Sequence, residues 1–148
     1  MADPRILVVE DNPSDLALTL HALKADGVPK QVDVVRDGAE ALEYLFGAGR
    51  YEGRRVVEGP DLVLLDLKLP LVDGFEVLRA VRSATSTESV PITILTSSAE
   101  ERDITQSYRL GANSYVVKPT DFRQFAKALH LLSAYWLQLN KPAPRRLG

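Results

Sequence analysis

Four apolar residues stand in a row at Leu62-Val63-Leu64-Leu65, between Pro60-Asp61 and the segment Asp66-Leu67-Lys68-Leu69-Pro70. A strand with one wet face alternates apolar and polar residues. A run without alternation suits a strand covered on both faces, as in a parallel sheet between two layers of helices. Asp66 then closes a buried strand, where an unpaired charge is expensive. A chain built around this stretch has to supply the rest of the sheet, its helices and partners for that carboxylate.

The flanking sequence supplies them in alternation. Arg5-Ile6-Leu7-Val8-Val9 is a second apolar strand, ending at Glu10-Asp11. Asn12-Pro13 then opens a helix, Asn12 as N-cap and Pro13 at the first helical position. Leu16, Leu20 and Leu23 give that helix its sheet-facing stripe, and Gly27 and Pro29 end it. Val32-Asp33-Val34-Val35 reads as a short edge strand. Asp37-Gly38-Ala39-Glu40 and Asp73-Gly74-Phe75-Glu76 are capping-box patterns that start two more helices. Pro91-Ile92-Thr93-Ile94-Leu95-Thr96 is a fourth strand, Glu100 to Leu110 a polar helix, and Ser114-Tyr115-Val116-Val117-Lys118 a fifth strand. A last helix runs from Asp121 to about Gln138. The Gly47–Pro60 stretch loses periodicity and reads as a surface loop without assignable chemistry. Five strands alternating with helices over short connections predict an α/β sandwich with a mostly parallel sheet.

Composition narrows the function. At 148 residues, 45% hydrophobic and 26% charged, the chain has the make-up of one globular domain. A net charge of −2, from 18 basic and 20 acidic residues, argues against general nucleic-acid binding. The absence of cysteine excludes disulfides, thiolate metal sites and cysteine nucleophiles. No segment has the pattern of a signal peptide or a membrane span, so a soluble, cytoplasmic protein is expected. His21 and His130 lie within helices and are read as solvated or packing residues.

The polar residues fall where the strands end: Glu10-Asp11 on the first, Asp66 on the third, Thr96 on the fourth, Lys118 on the fifth. In a parallel sheet these ends share one edge, where open α/β folds bind ligands. Carboxylates ~5 Å apart repel by about 3 kcal/mol at an effective dielectric near 20. The cluster therefore requires a cation, which Lys118 or a hard divalent ion such as Mg²⁺ can provide. A carboxylate beside a cation, a hydroxyl and a lysine is equipped to attack a phosphoryl group.

Glu10-Asp11, Asp66 with Lys68-Leu69-Pro70-Leu71-Val72-Asp73-Gly74, Thr96-Ser97, Tyr115 and Lys118-Pro119 together resemble the motifs of bacterial response-regulator receiver domains of the single-domain, CheY-like kind. The resemblance spans about Arg5 to Leu139. It implies a three-layer flavodoxin-like (βα)5 sandwich with a five-stranded parallel sheet in order 2-1-3-4-5. The receiver would occupy residues 1–139, with an extended last helix, and 140–148 would form a flexible tail. Asp66 would be the phosphoacceptor, served by a sensor histidine kinase. Mg²⁺ would be held by Glu10, Asp11, Asp66 and the backbone carbonyl of Lys68. Thr96 and Lys118 would contact the phosphoryl group, Tyr115 would be the switch aromatic, and the bond to Pro119 would be cis. The side chain of Lys68, at a variable position of the family, is a candidate to alter autodephosphorylation.

The last helix carries a surplus of apolar residues. Phe122, Phe125, Leu129, Leu132 and Trp136 form one stripe, and Ala128, Leu131, Tyr135 and Leu139 a second. One stripe suffices to dock on a sheet, so the second predicts a partner surface. A homodimer is expected through the last helix and the fifth-strand face, using Phe125, Leu131, Tyr135, Trp136 and Leu139. This long helix and the enlarged loop before Pro60 resemble the regulators paired with bacterial phytochromes, which implies a bacteriophytochrome as kinase. The short remainder after the helix suggests output by protein contact and no DNA-binding module. Two other readings make demands that these residues do not meet. A Mg²⁺-dependent aspartyl phosphohydrolase of the haloacid dehalogenase type would carry a second Asp where Lys68 stands. A phosphate-independent receiver-like domain would usually have lost the acceptor or the metal ligands.

Overall fold

The computed structural model describes residues 3–53 and 59–144. In chain order the elements are β1 (Arg5–Val9), α1 (Pro13–Ala25), β2 (Gln31–Val35), α2 (Gly38–Phe46), β3 (Leu62–Leu65), α3 (Gly74–Ser83), β4 (Ile92–Thr96), α4 (Glu101–Arg109), β5 (Ser114–Val117) and α5 (Phe122–Ala134). A 3₁₀ turn follows α2 at Gly49–Tyr51, and a π-helical turn, Tyr135–Leu139, extends α5. The strands are all parallel, in the order β2-β1-β3-β4-β5. The fold is thus the parallel α/β sandwich that the alternating elements predict, in the flavodoxin-like strand order that the resemblance implied.

Alternation of side chains across each strand divides the core in two. Leu7, Val9, Val63, Leu65, Ile92 and Ile94 point to the face covered by Ala41 and Leu45 of α2 and Val77, Leu78 and Val81 of α3. Ile6, Val8, Leu62, Leu64 and Leu95 point to the other, against Leu16 and Leu23 of α1 and Phe125 and Leu129 of α5. The unbroken run at Leu62–Leu65 has this explanation: all four are at most 1% exposed, because both faces of β3 are inside. Each such side chain contributes about 1.5–3 kcal/mol of burial.

Helices α1, α2 and α3 begin where their caps predicted, and α5 starts on an aspartate cap of the same kind. Asn12 Oδ1 accepts the Asp15 N–H (2.9 Å), Asp37 Oδ1 the Glu40 N–H (2.7 Å), Asp73 Oδ1 the Glu76 N–H (3.0 Å) and Asp121 Oδ1 the Gln124 N–H (3.0 Å). The chain winds outward from β1, to β2 on one side and β3 on the other. The strand order therefore switches beside β1, and a crevice opens at the carboxyl ends of β1 and β3.

Three expectations change. The last helix is α-helical only to Ala134; Asn140 N–H donates to Tyr135 O (2.6 Å) across the π turn that replaces its final stretch. Phe125 is not on a partner surface: at 5% exposure it belongs to the core beneath α5, while Trp136 is half-buried against the same core. Lys118–Pro119 is not cis. Among the described residues the cis X-Pro bond is Gly59–Pro60, and Lys118 keeps the trans form that X-Pro bonds favour by about 0.5–1 kcal/mol. Residues 54–58 of the surface loop and 145–148 of the tail lie outside the described residues.

Candidate functional site

Four of the five strands, all but β2, deliver polar groups to the crevice. Beyond β1, Glu10 turns inward and is buried, while Asp11 stays exposed at the rim. Glu10 is fixed from two sides: its Oε2 accepts the Asn12 N–H (3.1 Å) and its Oε1 the Lys118 ammonium (2.5 Å). Beyond β3, the Asp66 N–H still donates to Val9 O (3.2 Å), so Asp66 is held in register with β1. Its Oδ1 accepts the Lys68 N–H (3.3 Å) and its Oδ2 the Lys118 ammonium (2.9 Å).

Helix α3 closes on this loop. Gly74 N–H donates to Leu67 O (2.9 Å), and a Cβ at Gly74 would stand 2.4 Å from Asp66 O. Only glycine permits that approach. From β4 comes Thr96, buried at 1% exposure. Beyond β5, Lys118 N–H donates to Thr96 O (2.7 Å), which aims its side chain back across the sheet edge. The ammonium gives all three of its protons to carboxylates: Glu10, Asp66 and Asp15 Oδ2 (2.9 Å).

Electrostatics follow from this crowding. Burial pushes Glu10 up to about 7, helped by the charge of Asp66 and opposed by the hydrogen bond from Lys118. For Lys118, burial alone would lower the pKa, but the hydrogen bonds to Glu10, Asp15 and Asp66 outweigh it and raise it. Lys118 keeps its proton; Glu10 is the member that yields.

The donor set suits a hard divalent cation, being oxygen only. Among the described residues no three carboxylates converge as a ready clasp. Glu10, Asp15 and Asp66 do approach one point, but the Lys118 ammonium occupies it.

Tyr115 lies one layer out. Its hydroxyl donates to Ser98 O (2.9 Å), in the loop after Thr96, and Ser98 Oγ donates to Asp103 Oδ2 (2.6 Å) at the start of α4. Burial raises the Tyr115 pKa, so it remains a donor.

The response regulator receiver domain model matches residues 6–130. The chain belongs to that family. It is a receiver-domain response regulator of two-component signalling. The response regulator Rcp1 of Synechocystis sp. (strain ATCC 27184 / PCC 6803 / Kazusa) is 34% identical over 133 residues, 90% of this chain and 88% of that one. A Mn²⁺-bound crystal structure of Rcp1 has a TM-score of 0.85 at 32% identity, covering 95% of this chain and 99% of that one. The phosphorylated cyanobacterial phytochrome response regulator RcpA gives 0.86 at 38% identity, with 95% and 99% covered. The bacteriophytochrome response regulator RtBRR gives 0.77 at 50% identity, with 97% and 86% covered.

Glu10, Asp11, Asp66, Lys68 and Thr96 all line the receiver's crevice, and Lys118 bonds into it. Tyr115 reaches it only through Ser98. Leu131, Tyr135 and Leu139 are far from this chemistry along the chain and exposed on α5 and its extension. His21 packs its ring on Phe122, and His130 Nδ1 meets Asp26 O at 3.0 Å; neither lines the crevice. Two participants escaped the sequence reading, Asp15 and Ser98. Asp15 carried one usable signal, a carboxylate three residues after the Asn12 cap and hence in the first turn of α1.

Proposed function

We propose that this receiver accepts a phosphoryl group on Asp66 from a phosphohistidine of a sensor histidine kinase. The observation that carries it is the bonding of Asp66: its carboxylate lies at the crevice with one oxygen on Lys118 and the other on the Lys68 N–H. An Asp66 oxygen attacks phosphorus, the P–N bond to the kinase imidazole breaks, and the imidazole leaves with the bonding pair. Asp66 becomes an acyl phosphate. Thr96 hydroxyl and Lys118 ammonium meet the charge on the phosphoryl oxygens. Glu10, Asp11, Asp66 and the Lys68 carbonyl would hold Mg²⁺, which when bound neutralises part of that charge.

The switch runs through Tyr115. Thr96 ends β4 and Ser98 stands two residues on, in the loop that follows, where its carbonyl accepts the Tyr115 hydroxyl. Drawing Thr96 toward a phosphoryl group pulls on that loop, on Tyr115 and, through Asp103, on α4. Phosphorylation thereby biases the α4–β5–α5 face between two arrangements. Output is by protein contact there, with the chain acting on no substrate beyond its own phosphoryl group. Residues 1–139 form the receiver and 140–148 a tail. Its relatives include regulators named for phytochromes and bacteriophytochromes, which favours a bacteriophytochrome kinase as donor and the cytoplasm as location. Among the described residues no helix is long and apolar enough to cross a membrane. The exposed residues Leu131, Tyr135 and Leu139 support a homodimer.

Incubation with acetyl phosphate and Mg²⁺, followed by intact mass, tests the reading. The wild type gains one phosphoryl group and Asp66→Asn gains none. Equal gain by both, or by neither, overturns it.

A further inference from the structure

Asp15 holds the third proton of the Lys118 ammonium, at 2.9 Å from its Oδ2. Nothing local requires this. Asp15 is the third residue of α1, where a carboxylate commonly reaches back to the N–H of the N-cap residue. Here the Asn12 N–H is already taken by Glu10 Oε2, leaving the Asp15 side chain to reach across to the crevice. The hydrogen bonds that start α1 use its backbone: the Asp15 N–H to Asn12 Oδ1, and Thr19 Oγ1 to Asp15 O.

The other two partners of the ammonium, Glu10 and Asp66, are the carboxylates that a divalent cation must claim. As they stand they are turned to Lys118, whose side chain is 7% exposed. An ammonium with three donors and only two carboxylates would concentrate its bonding on those two. Asp15, 34% exposed at the rim, offers a partner that the cation does not take.

We propose that Asp15 is a positioning residue that draws Lys118 off Glu10 and Asp66, so that the site opens to a divalent cation while the lysine stays at hand for the phosphoryl group. The idea rests on the receiver reading above and adds a regulator of cation affinity to it. Asp15 touches neither the reacting atoms nor the cation; it acts through Lys118. Removing its charge makes the ammonium a stronger competitor for Glu10 and Asp66.

The test is Mn²⁺ binding, followed by electron paramagnetic resonance of free Mn²⁺, for four proteins: wild type, Asp15→Asn, Lys118→Ala and the double variant. Asp15→Asn weakens binding about three- to fivefold, the upper part of the range for a partly exposed ion pair. Lys118→Ala tightens it. On the Lys118→Ala background Asp15→Asn changes the affinity by less than about twofold, because its intermediary is gone. Lys118→Met serves in place of Lys118→Ala should the smaller side chain compromise folding. Unchanged affinity in Asp15→Asn overturns the proposal. So does equal weakening on both backgrounds, which is the signature of a through-space charge. Either result leaves the receiver reading intact if the wild type still gains a phosphoryl group by intact mass. A wild type that binds no Mn²⁺ and gains no phosphoryl group overturns both.

Discussion

At the scale of single residues the site is a compromise among four charges. Glu10, buried beside Asp66, titrates near 7, above the ordinary 4.5. A carboxyl whose folded pKa is raised binds its proton more tightly folded than unfolded. The stability this contributes is complete below pH 4.5 and is lost as pH rises through about 7. In EDTA, then, the melting temperature of the wild type should fall relative to Glu10→Gln between about pH 5 and 7.5. The gap should shrink again when a divalent cation is added. Parallel melting curves for the two proteins across that range would contradict the assignment. Lys118 has the same sign of linkage, because its pKa is raised too, but its window lies far above this one. Its raised pKa keeps it charged through this whole window, so the slope belongs to Glu10. These residues were legible because strand ends are legible: a β run that stops at a carboxylate, a hydroxyl or a lysine marks one edge of a parallel sheet. Asp15 was not, because its role depends on which atom satisfies the Asn12 N–H, and only coordinates show that Glu10 does.

At the scale of elements, the acceptor loop is shaped as much by α3 as by β3. Gly74 brings the start of α3 against the Asp66 carbonyl, leaving 2.4 Å for any Cβ. Gly74→Ala must push the helix or the loop away. A loss of about 1–3 kcal/mol is expected from such overpacking, measured by denaturant unfolding. Phosphoryl gain from acetyl phosphate should slow at the same time, since Asp66 shifts with its backbone. A Gly74→Ala protein with wild-type stability and rate would show that the approach is soft. Sequence pattern found this helix and its Asp73 cap, and it found the buried β3 from four unalternating residues. It placed Phe125 wrongly, because two adjacent apolar stripes on one helix look alike until the sheet chooses between them. The sheet takes Phe125 and Leu129, leaving Leu131, Tyr135 and Leu139 outside. The π turn at Tyr135–Leu139 was equally hidden, since nothing in its composition separates it from α-helix.

At the scale of the molecule, the crevice and the exposed apolar residues face different tasks. Leu131 is 57% exposed, Tyr135 46% and Leu139 74%, and Val117 of β5 adds 39%. Single exposed apolar residues need no explanation; several along one helix and its extension are what the proposed homodimer would use. A twofold partner would lay the same residues against themselves, and a stable contact of this kind covers roughly 800 Å² per copy. The expected result is a dimer in sedimentation velocity at micromolar concentration. Replacing Leu131 and Tyr135 together by arginine should yield a monomer, since two like charges would meet across the axis. Both positions are outside the core, so stability should change by no more than about 1 kcal/mol. Phosphoryl gain from acetyl phosphate should also be unaffected, because acceptance needs only the crevice. A wild type that sediments as a monomer, or an arginine variant that stays dimeric, would remove the α5 surface from the account. Asp66 and its partners would stand without it.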